Sequence, residues 1–170
     1  VTAGLTAGIA IGFGVDGNLA RGVVYAPAEN NIYIGEKGGS SYKNGEKINI
    51  SKNDSLSSAK LFIHGGRTQK TVDTHEKIRS ICENENPDIK IEKVKGCASL
   101  DICRVADGIY DGFIHRGLGA WDVAAGIIIL ESAGGVVCNL NGTEKNLFVP
   151  GIIATNNELK DKLVAITKDC

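Results

Sequence analysis

One carboxylate in this chain stands where a charge is hard to accommodate. In "GAWDVAAGIIILESAGG", residues 119–135, Asp122 heads a nearly unbroken apolar run. Val123, Ala124, Ala125, Ile127, Ile128, Ile129 and Leu130 fall on every side of a helix, so that helix should be buried all round. A charge at its head must then be paired, capping or bound to metal. As an N-cap, the carboxylate would accept hydrogen bonds from the free N–H groups of the first turn. As a ligand for a hard cation, it would be one of the one or two carboxylates that Mg2+ takes before water and substrate phosphate complete its shell. The two uses are compatible, because one oxygen can face the helix while the other faces an ion.

The other chemistry-bearing residues assemble less readily. His64, His75 and His115 are scattered, with no pair at i, i+4 on a helix as a zinc site would prefer. Cys97 follows Gly96 at an expected helix start, where a thiolate is stabilised by the backbone dipole; the plainer reading is a small buried hydrophobe. "GFGVDG" at 12–17 matches G-x-G-x-x-G, but the alternating "NLARGVVY" beyond it suits a hairpin rather than a pyrophosphate-binding helix. Asp101 and Arg104, three apart on a helix, are expected to form a surface ion pair. No Ser/His/Asp or Cys/His set can be assembled from spacing.

Composition narrows the partners. With 19 basic and 20 acidic residues and no long single-sign block, nothing points to nucleic acid or to a membrane surface, and a small or locally charged ligand is expected. No apolar run approaches the ~20 residues needed to span a bilayer, and the start lacks a secretory leader pattern. Five cysteines without a C-x-x-C pair suit reduced thiols in a cytoplasmic protein. The chain opens at Val1 and contains no methionine, which fits a fragment, a recombinant segment or a processed product.

The elements that must position Asp122 are legible in pattern. Apolar residues alternate from Leu5 to Phe13 as in a half-buried strand, and Asp16-Gly17 and Asn44-Gly45 are hairpin signals. With "LARGVVYA", "NIYIGEK" and "SSYKNGEKINI" these predict an antiparallel meander over about 1–64. The remainder, about 65–170, alternates between helix and strand. Helices are expected near 69–82, 98–109, 121–133 and 156–168, the last capped by Asn156, with strands at "KLFIHGG", "IKIEKVKG", "YDGFI", "GVVCNL" and "GIIATN". A single layered α/β domain without a linker is the expected architecture.

Three segments together carry a family resemblance. "WDVAAGIIILESAGG" resembles the C-terminal signature of the inositol monophosphatase family, "GVVYAPAENNIYIGEKGGSSYKNGEKINIS" is similar to its middle section, and "KGCASLDICRVADGIYDGFIHRG" to the segment before the Trp-Asp. The resemblance covers most of the chain in the family's order. It implies an αβαβα sandwich, here lacking its N-terminal part, and a Mg2+-dependent phosphomonoesterase of the inositol monophosphatase and fructose-bisphosphatase superfamily. In that chemistry a metal-activated water attacks phosphorus in line while another ion stabilises the departing sugar oxygen. By resemblance Asp122 helps hold that second ion, and Gly96, Cys97 and Ala98 line the sugar pocket, where N–H groups can meet hydroxyls or phosphate. A plain helix N-terminus is the alternative for that trio. The resemblance also implies a homodimer acting on a small sugar phosphate.

Two departures qualify it. The family's upstream Glu and Asp-Pro-x-Asp-Gly-Thr loop do not occur in this sequence, and residues 1–13 resemble the family's segment immediately downstream of that loop. If these 170 residues act alone, weak Mg2+ binding and little turnover are expected, since one carboxylate does not assemble a multi-ion site. Where the family places a glutamate that reads inositol hydroxyls, this chain has His115 followed by Arg116. That basic pair either favours a substrate with a second phosphate, such as fructose 1,6-bisphosphate, or is a solvated corner. A 3'(2'),5'-bisphosphate nucleotidase and a non-catalytic domain that has lost the metal loop are the alternative readings.

Overall fold

Ten strands and four helices make up the described part of the chain. The computed structural model describes residues 7–16, 18–63, 68–92, 96–145, 147 and 151–170. A first sheet is a pure antiparallel meander of β1 (Ile9–Val15), β2 (Asn18–Ala26), β3 (Asn31–Glu36), β4 (Ser41–Lys43) and β5 (Glu46–Ile48), each strand beside its sequence neighbours. Asn44 and Gly45, at φ 52° and 85°, turn the β4–β5 hairpin in the left-handed region that suits a two-residue connection. Asn44 also accepts the Ile32 N–H at 2.8 Å through its side-chain oxygen, which ties that turn to β3.

The second sheet contains β6 (Lys60–Ile63), β7 (Lys90–Glu92), β8 (Gly112–His115), β9 (Val136–Cys138) and β10 (Ile152–Thr155), in the order β7-β6-β8-β10-β9. β6 runs parallel to β7 and β8, while β10 runs antiparallel to β8 and β9. The meander therefore ends at Ile48, and the strand at 60–63 belongs to the second sheet. Alternation alone does not say which sheet a strand joins.

Helices α2 (Ala98–Ala106) and α3 (Ala120–Ser132) lie between the sheets, and α1 (Gln69–Glu85) and α4 (Asn157–Thr167) cover the far face of the second. This gives the order sheet, helices, sheet, helices. The all-round apolarity of α3 follows from its middle position: Ile127, Ile128, Ile129 and Leu130 are all buried, and Ile127, Ile129 and Leu130 pack among residues of both sheets and α2. Each such side chain contributes about 1.5–3 kcal/mol of burial. A second cluster, including Leu61, Ile78, Ile114, Ile153, Leu159 and Leu163, fills the space between the second sheet and α1 and α4. Asn156 caps α4, accepting the Leu159 N–H at 2.8 Å.

What lets α3 lie on the first sheet is a row of small residues. Gly12, Gly22, Gly35 and Ser41 stand in register across β1, β2, β3 and β4. A Cβ on Gly22 would lie 2.4 Å from the Ala125 carbonyl oxygen, and one on Gly35 would lie 2.7 Å from the Ile129 Cα. Ser41 donates its hydroxyl to the Ile129 carbonyl at 2.6 Å. The helix backbone thus seats directly on strand backbone.

Two expectations are corrected. β1 is exposed along its whole length rather than half-buried: Ile9, Ile11, Phe13 and Val15 point away from α3, on the same sheet face as exposed Ile32 and Ile34 of β3, while the small residues Ala10, Gly12 and Gly14 occupy the other positions. Asp101 and Arg104 do pair, at 3.2 Å, but not on the surface, because α2 is enclosed between sheets and Asp101 is only 3% exposed. Arg104 also pairs with Glu29, while Asp107 at the end of α2 accepts from Lys43 Nζ at 2.8 Å and Tyr33 Oη at 3.1 Å. These bonds pin α2 to the first sheet.

Candidate functional site

The heads of α2 and α3 open into one pocket. It has a volume of about 420 Å3 and is lined by Ala7, Gly8, Ala10, Gly96, Cys97, Ala98, Ser99, Trp121 and Asp122. Gly96 has φ 145° and delivers the chain to Cys97, the N-cap residue of α2. Cys97 provides no side-chain cap, and the first intrahelical bond to its carbonyl comes from the Asp101 N–H. Ala98 and Ser99 therefore present first-turn N–H groups without helical partners, and a helix end of this kind favours an anion.

Asp122 occupies a different place in α3 from the expected one. The N-cap residue is Gly119, and Asp122 is the third helical residue, whose Oδ2 accepts the Gly119 N–H at 2.9 Å. Capping here runs backward, from within the first turn to the residue that precedes it. The other oxygen, Oδ1, accepts no hydrogen bond among the described residues. Gly126 permits the close contact of α3 with α2, since a Cβ there would meet the Ser99 carbonyl at 2.9 Å; Ser99 in turn donates its hydroxyl to the Asp122 carbonyl at 2.7 Å. Trp121 stands 81% exposed at the rim.

The sequence-predicted residues divide into two groups. Gly96, Cys97, Ala98 and Asp122 come together in this pocket. His115 and Arg116 do not line it: His115 is buried, packing edge-on against His75 with ring centroids 4.9 Å apart, and Arg116 lines a separate cavity near the end of α4. His64 lies outside the described residues. Sequence reasoning missed Ser99 and Gly8. The signal for Ser99 was a hydroxyl in the first turn of a helix whose cap residue is a poor one; Gly8 becomes legible only with β1 laid against Cys97, whose Sγ would be 2.7 Å from a Cβ at position 8.

A hard cation is tested by the donors present. The pocket offers one carboxylate oxygen that is not hydrogen-bonded, which fits one position in a Mg2+ shell. No group of three or more His, Cys, Asp or Glu side chains able to hold a metal occurs among the described residues. Asp122 fits as one ligand of a site that takes its remaining oxygens from elsewhere.

Residues 2–170 match the inositol monophosphatase family. The chain is similar to the fructose-1,6-bisphosphatase/inositol-1-monophosphatase of Thermotoga maritima, 33% identical over 161 residues that make up 95% of this chain and 60% of the relative. It is similar to human inositol monophosphatase 1, 31% identical over 92% of this chain and 57% of the relative. A solved structure of a Thermotoga maritima IMPase superimposes with a TM-score of 0.85 at 30% identity, over 95% of this chain and 61% of that one. The chain spans about three fifths of the length of the relatives it matches.

Proposed function

We propose, taking as premise that the chain belongs to the inositol monophosphatase family, that it supplies one wall of the active site of a Mg2+-dependent phosphomonoesterase acting on a small sugar or inositol phosphate. The observation that carries this reading is the pocket at the heads of α2 and α3, where unpartnered N–H groups and one available carboxylate oxygen converge. Mixed polarity of that kind suits a phosphate ester with its counter-ion. N–H groups receive phosphate oxygens, and a carboxylate holds a cation against them.

Each residue has a definable task. Ala98 and Ser99 orient the phosphate or a neighbouring hydroxyl through main-chain donors, which are fixed because α2 is pinned by Asp107 and Arg104. Asp122 holds the ion with the oxygen that Gly119 does not occupy. Bound there, Mg2+ supplies Lewis-acid stabilisation of charge developing on the ester oxygen. The Gly119 N–H keeps the carboxylate in one orientation, so its loss would loosen the ligand rather than remove it. Trp121 at the rim is available to cover a sugar face.

The relatives' names nominate inositol 1-phosphate and fructose 1,6-bisphosphate as substrates. Phosphate release from each by the full-length protein, with Mg2+ and with excess EDTA, tests the reading. Mg2+-dependent turnover of at least one ester is expected. Equal release in EDTA would remove the metal from the proposal, and no release from either would remove the phosphatase.

A further inference from the structure

Arg116 leads to a second site. The chain leaves β8 at His115, and the Arg116 backbone is held there by its N–H, which donates to His75 Nε2 at 2.9 Å. Its side chain enters a cavity of about 310 Å3 bounded by the turn after β9, the start of β10 and the end of α4. That volume is at the small end of the roughly 300–1,000 Å3 range of small-molecule pockets. None of its lining residues is shared with the Asp122 pocket.

The lining has a definite electrical character. Arg116 and Lys168 are its two charged side chains and no Asp or Glu side chain lines it, while Cys170, the last residue of the sequence, adds a main-chain carboxyl oxygen on the Arg116 side. Arg116 Nη1 donates to the Cys170 main-chain oxygen at 2.9 Å, which fixes the guanidinium, while its Nε and Nη2 have no partner among the described residues. Lys168 Nζ likewise has no hydrogen-bond or ion-pair partner among the described residues. Opposite them, the Asn141 side-chain oxygen accepts from the Thr143 N–H at 3.2 Å and the Thr143 hydroxyl at 2.7 Å, so the amide oxygen is occupied and the Nδ2 donor is left over. With the Cys170 oxygen set against Arg116 Nη1, the remaining guanidinium N–H groups, the ammonium and an amide donor around one small cavity make the donor set for a compact oxyanion.

We infer that this cavity is a second anion site, separate from the Asp122 pocket, that takes a small oxyanion of the phosphate class. It goes beyond the phosphatase reading and does not depend on it. The test is a titration of the full-length protein with inorganic phosphate in excess EDTA, at constant ionic strength, followed by 15N NMR. Saturable shifts are expected at the amides of Arg116, Asn141, Thr143 and Lys168, and Lys168→Gln should weaken these while leaving any shift at Trp121, the chain's single tryptophan and reporter of the other pocket, as in the parent. Arg116→Gln and Lys168→Gln should each raise the dissociation constant about tenfold, the loss of one charge-assisted contact. Lys168→Gln leaves the Arg116–Cys170 bond intact, so it decides the matter if Arg116→Gln does not fold. Shifts confined to Trp121 and residues 96–98, absence of saturation, or wild-type affinity in Lys168→Gln would overturn the assignment. Because neither metal nor turnover enters, failure of the phosphatase proposal leaves this result readable.

Discussion

Gly22 lies against Ala125 with strand and helix backbones in direct contact: a Cβ at position 22 would sit 2.4 Å from the Ala125 carbonyl oxygen. Gly12 and Gly35 flank it in register, so β1, β2 and β3 together form a shallow seat for α3. Asp122 heads that helix, and its position in the pocket is set by the seat. Gly22→Ala should therefore destabilise the fold by about 2–3 kcal/mol, the upper range for overpacking where the obstructing atom is backbone and cannot swing aside. Urea denaturation measures this, and an unchanged midpoint would show that α3 has room to move.

Ser41 completes the same row. Its hydroxyl donates to the Ile129 carbonyl, which also receives the Ala133 N–H at 3.1 Å. Ser41→Ala still leaves that carbonyl one hydrogen bond, so the expected loss is about 1 kcal/mol rather than the full penalty of an orphaned buried group. Denaturation of the two variants and their combination would show coupling between Ser41 and Gly22, since both act through α3.

Asp101 makes stability depend on pH. Burial pushes its carboxyl up to about 7, against a smaller opposing pull from Arg104, and its Oδ2 is buried without a hydrogen-bond partner among the described residues. The folded state thus keeps a proton that the unfolded chain releases near pH ~4. Stability from this group is full below about pH 4 and declines as pH rises toward about 7, by an amount of the order of a few kcal/mol. Asp101→Asn should flatten that decline between about pH 4 and about pH 7. A variant whose melting temperature falls as steeply as that of the parent would exclude Asp101 as the source.

Asp122 can be separated into its structural and chemical uses. Asp122→Ala removes the acceptor for the Gly119 N–H and should cost about 0.5–1 kcal/mol, a lost helix-terminal bond. Asp122→Asn retains an oxygen for that bond and should unfold at nearly the parent denaturant concentration. Equal destabilisation by both would mean that charge at the head of α3, rather than the hydrogen bond, holds the first turn.

Much of the fold was legible in local pattern. Asn44-Gly45 marked its hairpin because two successive left-handed residues suit few sequences, and α4 was marked by Asn156 followed by an amphipathic stripe. β1 was misread because alternation reports that two faces differ, not what covers either: its large residues face outward so that its glycines can face α3. The row Gly12-Gly22-Gly35-Ser41 was invisible for the same reason, since it exists only once three hairpins fix the register.

The candidate site was legible in part through its helix heads. Gly96-Cys97-Ala98 and Trp121-Asp122 are 23 or more residues apart, and only the packing of α2 on α3 through Gly126 joins them. Arg116 shows the converse. It precedes Asp122 by six residues, yet the left-handed Gly117 and the Gly119 cap lie between them, and its side chain enters another cavity. Nearness in sequence was no guide to which pocket a residue serves.

The proposed role of Asp122 as a metal ligand is tested most directly by the Mg2+ dependence of phosphate release by the full-length protein and by its Asp122→Asn variant, measured side by side with their unfolding curves. Turnover in the variant is predicted to be lower by about a hundredfold, equivalent to about 3 kcal/mol of lost charge stabilisation, with a higher Mg2+ requirement and nearly unchanged stability. Parent-like turnover with the same Mg2+ dependence in a fully folded Asp122→Asn protein would contradict it.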